Sequence, residues 1–118
     1  MCSLFGLIDF KECLSTHAKN KILNVLAREC QVRGTDATGI AYNFNDRLRI
    51  YKRPLPARKV KIHIPHGVNA VMGHTRMTTQ GNAQFNQNNH PFLGHADGSS
   101  FALAHNGVLW NDKELRME

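Results

Sequence analysis

Two hydrophobic periods alternate along this chain. Leu4 to Phe10 is a short apolar run with Gly6 inside it, which predicts a strand close to the N-terminus. Ser15 or Thr16 can cap a helix reaching to about Val32. Within it Ile22, Val25, Leu26 and Cys30 recur at helical spacing and predict its apolar stripe. Gly34 ends that segment. Gly39 to Phe44 and Leu48 to Lys52 read as two strands, and Asn45-Asp46 between them is a two-residue hairpin signal. Pro54 and Pro56 break the chain. Val60, Ile62 and Ile64 alternate with Lys61 and His63, an extended piece with one apolar face, ended by Pro65 and Gly67. Val68 to Gly73 and Phe101 to His105 are further strands, separated by a polar stretch from Thr78 to Asn89. Asn111 to Arg116 resembles a helix cap and first turn. One helix among several strands predicts an α+β fold, with an antiparallel sheet covered by the helix.

Composition narrows the function classes. Of 118 residues, 15 are Lys or Arg and 9 are Asp or Glu, for a net charge of +6. The hydrophobic fraction of 42% and charged fraction of 20% are those of a globular chain, not a disordered one. No apolar run approaches the ~20 residues of a membrane helix, and no secretory signal is visible. Seven basic residues fall between Arg47 and Lys61 without an intervening acid. Such a patch can attract nucleic acid. The alternation of the same segment, with Leu48, Ile50 and Lys52 on one face, favours a solvated strand face instead, and no aromatic array accompanies it. The three cysteines, Cys2, Cys13 and Cys30, contain no CxxC pair, and reduced thiols in the cytoplasm are expected. The seven histidines lack the spacing of a helical zinc motif, so neither a metal nor a cofactor is expected.

Chemistry concentrates in five short stretches. Cys2 becomes N-terminal when Met1 is removed. A terminal cysteine then carries a nucleophile and a base in one residue: a thiol and an α-amine titrate near neutrality, at about 8.5 and about 7.7–8.0. The alternative for Cys2 is a small buried hydrophobe. Asn106-Gly107 can aim a side-chain amide and a backbone N–H at one developing oxyanion, or form a type I′ turn. Arg76, in Gly73-His74-Thr75-Arg76, offers a guanidinium that can hold a carboxylate through two parallel bonds. Thr79 and Gly81 add a hydroxyl and a close backbone approach. Arg33 and Asp36 flank a glycine-rich turn, where an internal ion pair is the simpler expectation than direct chemistry. Asn89-His90-Pro91 reads as a fixed loop.

Taken together and in order, these stretches resemble the class II glutamine amidotransferases, members of the N-terminal-nucleophile hydrolases. That family begins Met-Cys-Gly-Ile or similar. It continues with Arg-Gly-x-Asp-x-x-Gly (here Arg33 to Gly39) and His-Thr-Arg-x-x-Thr-x-Gly (here His74 to Gly81). Asn-x-His-Pro-like and His-Asn-Gly elements follow (here Asn89 to Pro91 and His105 to Gly107). The resemblance implies an αββα sandwich and hydrolysis of L-glutamine through a thioester on Cys2. By position, it assigns the α-carboxylate of glutamine to Arg76, a pocket wall to Thr79, and the oxyanion hole to Asn106 and Gly107. Ammonia would pass to an acceptor or synthase domain, or to a subunit, outside residues 1–118. Ser3-Leu4 stands in place of the Gly-Ile pair, Met77 where an aromatic residue is frequent, and Gln80 where a His is frequent.

The family domain is longer than 118 residues, and its acidic grip on the substrate amine lies beyond this sequence. The expectation is therefore an incomplete sandwich whose open sheet edge favours pairing with a second copy. A catalytically idle binding or assembly module and, as a weaker reading, a basic nucleic-acid-binding domain remain as rivals at this point.

Overall fold

The computed structural model describes residues 2–77 and 89–104. Strand β1 (Ser3–Ile8) leads to helix α1 (Thr16–Cys30), a 3-10 turn (Gln31–Arg33), and the hairpin of β2 (Ala37–Phe44) and β3 (Arg47–Arg53). A second 3-10 turn (Ala57–Lys59) and an extended stretch precede β4 (Ala70–Arg76); β5 (Phe92–Ala96) and β6 (Ser99–Leu103) form a separate hairpin. The larger sheet has the order β1-β4-β2-β3, antiparallel throughout. The architecture is α+β: helix, four-stranded sheet, then the β5–β6 hairpin, three layers of an αββα-type sandwich with open sheets.

The helix begins where its cap residue directs. Ser15 is extended (φ −69°, ψ 159°), and its Oγ accepts the N–H of Ala18. Its buried stripe differs from the expected one. Lys19, Leu23 and Ala27 form the inner line, while Val25 is 48% exposed. The reason lies in Asn20 and Asn24. Their polarity marks them as solvent-facing, yet each amide spans the main chain of the extended stretch. Asn24 accepts from Ile62 N (2.9 Å) and donates to Ile62 O (2.8 Å). Asn20 accepts from Ile64 N (2.7 Å) and donates to Ile64 O (3.3 Å). Two amides one helical turn apart thus bond alternate residues as a neighbouring strand would. Val60, Ile62 and Ile64 thereby turn into the core with Leu23, Ala27, Ile40, Val68 and Val71, as the alternation predicts.

The turns follow their sequences. Asn45 and Asp46 both have positive φ (52° and 60°), the requirement of a tight hairpin turn. Asp97 and Gly98 do the same between β5 and β6 (50° and 76°). Strand β5 is an addition to the expected elements, although its Asp-Gly turn was a readable signal. Thr79, Gln80, Gly81, His105, Asn106, Gly107 and the helix start expected at Asn111 lie outside the described residues.

Candidate active site

Antiparallel register decides which side chains share the inner face of the large sheet. Ser3 opposes Thr75 and Leu4 opposes His74. Carried one residue further, the same register sets Cys2 against Arg76, at the ends of β1 and β4. The half-buried Cys2 thiol points to the carbonyl of Met77, 3.7 Å away. Thr75, on the opposite face, donates to the carbonyl of Cys30 (3.0 Å) and ties this end of β4 to the helix.

Arg76 is 5% exposed. Its Nη1 donates to Oδ1 of Asn89 at 2.8 Å, and Asn89 is fully buried. The main-chain carbonyl of Asn89 accepts from Lys52 Nζ, also at 2.8 Å. Burial pushes the Lys52 ammonium below the usual lysine range. The ammonium also lies 5.6 Å from the centroid of the Phe92 ring. One residue therefore joins cations from β4 and β3, with β2 between them.

The stretch from Asn89 to Phe92 is a strap across the inner face. The His90 ring stacks on His74, with centroids 4.2 Å apart, and Phe92 packs against His90 at 4.3 Å. The His90–Pro91 peptide is cis and lies directly on Gly39 of β2, where a Cβ would overlap the carbonyl oxygen of His90. Gly34 serves a similar purpose in the preceding turn. A Cβ there would stand 2.6 Å from the carbonyl carbon of Arg76, so only glycine lets this turn press against the end of β4. The N–H of Asp36 donates to the Arg76 carbonyl at 2.9 Å, which anchors the same turn.

Of the residues singled out in the sequence, Cys2, Arg76, His74, His90 and the turn from Arg33 to Gly39 thus gather at one end of the sheet. Thr79, Asn106 and Gly107 fall outside the described residues. The contacts that two residues make in this neighbourhood were not anticipated. Lys52 was assigned to a solvated face, yet its parity with Leu48 and Ile50 already placed it on an apolar one. Asn89 carried no signal beyond its place before His-Pro. The remaining basic residues of the Arg47–Lys61 segment are exposed, as expected of a solvated face. Among the described residues, no group of three or more His, Cys, Asp or Glu is placed to hold a metal ion, and no helix is long and apolar enough to cross a membrane.

No family model matches the chain, and no solved structure matches it. Curated proteins do. A glutamine–fructose-6-phosphate aminotransferase (isomerizing) of Symbiobacterium thermophilum is 34% identical over 122 residues, covering 100% of this chain and 18% of the relative. Proteins of the same name from Staphylococcus epidermidis and Sulfolobus acidocaldarius are 32% and 33% identical, with 19% and 20% of their own lengths covered. The chain thus spans about a fifth of the length of the curated relatives it matches. The match is partial and low in identity, and it falls on their N-terminal glutaminase domain, so this chain is similar to an incomplete class II glutamine amidotransferase domain of the N-terminal-nucleophile hydrolase type.

Proposed function

We propose that the chain hydrolyses the side-chain amide of L-glutamine through a thioester on Cys2. The observation that carries this reading is the β1–β4 register, which brings a half-buried thiol and a buried guanidinium to one end of the sheet. Removal of Met1 frees the α-amine of Cys2. That amine takes the thiol proton as Sγ attacks the amide carbon, and returns it to the departing nitrogen, so that ammonia leaves and a thioester remains. Water then cleaves the thioester, giving glutamate and the free thiol. Arg76 holds the α-carboxylate, Thr79 lines the pocket, and Asn106 with the N–H of Gly107 receives the oxyanion. Ammonia passes to an acceptor held by a synthase domain or subunit beyond these residues. The setting is cytoplasmic, where thiols stay reduced.

The test joins intact-mass confirmation of Met1 removal to a glutaminase assay and to labelling by 6-diazo-5-oxo-L-norleucine, a glutamine-shaped electrophile. Labelling confined to Cys2, abolished in Cys2→Ala and slowed at least about tenfold in Arg76→Ala, is the expected outcome. Label spread over Cys13 and Cys30, or full turnover with Met1 retained, overturns the mechanism.

A further inference from the structure

We infer that Asn89 is the positioning residue for Arg76, and that its amide sets the affinity of the site for a carboxylate-bearing substrate. The inference rests on the assignment of Arg76 to the α-carboxylate of glutamine. A guanidinium presents five N–H donors in a planar fork, and one of them is committed to Asn89 Oδ1. That bond fixes the rotation of the fork.

The acceptor is an uncharged amide. It therefore orients Arg76 without itself offsetting the positive charge. A carboxylate in the same place would make the same bond more strongly, but would partly neutralise the guanidinium and repel the substrate carboxylate. Asn89 is itself fixed from the other side, because its carbonyl is held by Lys52 and the following residues are seated on Gly39 and His74. Position 89 thus passes the placement of β3 and β2 on to a side chain of β4.

The isosteric substitution separates positioning from mere support. Asn89→Asp retains the acceptor and the shape but adds a charge beside the guanidinium, and a merely structural loss would fall equally on substrates with and without an α-carboxylate. The inference instead expects KM for glutamine to rise about tenfold, with kcat within about twofold of wild type. It expects labelling of Cys2 by 6-diazo-5-oxo-L-norleucine to slow by a similar factor, and alkylation by iodoacetamide to keep its rate. Hydrolysis of 4-aminobutanamide, which lacks the α-carboxylate, is expected to be indifferent to the substitution. Asn89→Ala, which removes the acceptor, serves as the second variant should the aspartate fail to fold. It should also raise KM for glutamine and spare the carboxylate-free amide.

Wild-type KM in both variants, or equal losses toward glutamine and 4-aminobutanamide, overturns the inference alone. A wild-type chain, freed of Met1, that neither hydrolyses glutamine nor reacts with its electrophilic mimic overturns the proposed function and this inference with it.

Discussion

Asp9 shows how much a single carboxylate can organise. It follows β1 directly, and its two oxygens accept the N–H groups of Cys13 (2.9 Å) and Leu14 (2.9 Å). Lys19 Nζ lies 3.6 Å from the same carboxylate and donates to Val68 O and Asn69 Oδ1. The N–H groups of Leu14 and Cys13, then Lys19, hold the Asp9 carboxyl below its ordinary range. A folded-state value lower than the unfolded one contributes stability above the unfolded pKa, and that contribution is lost as pH falls through the folded value. The thermal midpoint of Asp9→Asn should therefore lie below wild type at pH 7. The gap should narrow as pH falls below about 4, where the unfolded carboxyl takes up its proton ahead of the folded one. A gap that stays constant from neutral to acid pH would show that the charge of Asp9 is not the source. Cys2 and Arg76 were legible at this scale because their chemistry is uncommon for their positions. Asn89 was not, because what defines it is the end of a guanidinium 13 residues away in sequence.

Among the elements, the helix carries the least obvious device. Asn20 and Asn24 replace a strand for the main chain of Ile62 and Ile64, and that chain has no other sheet partner in the described residues. Replacing Asn24 by Ala leaves an N–H and a carbonyl of Ile62 without that amide, at a cost of about 1–3 kcal/mol. Equilibrium urea unfolding should show the loss as a lower midpoint with unchanged slope. An effect below about 0.5 kcal/mol would mean that water replaces the amide there. The strands were legible because period-two alternation and Asn-Asp turns are local. The helix boundaries were legible from Ser15 and Gly34. Its inward stripe was displaced because an asparagine bonding main chain across the fold looks, in sequence, like any solvent-facing asparagine. Lys52 was misplaced for the converse reason: its charge outweighed its parity with Leu48 and Ile50.

At the scale of the whole molecule, the open sheet is the dominant feature. Among the described residues strand β1 pairs only with β4, and its Leu4 and Ile8 are 50% and 69% exposed. Unpaired edges recruit other strands, whereas the opposite edge, β3, is guarded by arginines. Self-association through β1 is therefore expected of the isolated chain, and light scattering should report a dimer or larger species that Leu4→Lys disperses. A monodisperse monomer at high protein concentration would contradict it. The extended stretch on the helix has a different consequence, because Asn20 and Asn24 recognise peptide groups and ignore the side chains between them. Lys61 and His63 are exposed beside Ile62 and Ile64, whose peptide groups those amides hold, so natural variation can rewrite these two exposed positions freely. A chain of net charge +6 thus has a place to change its surface potential, and with it its companions in solution, without renegotiating its fold.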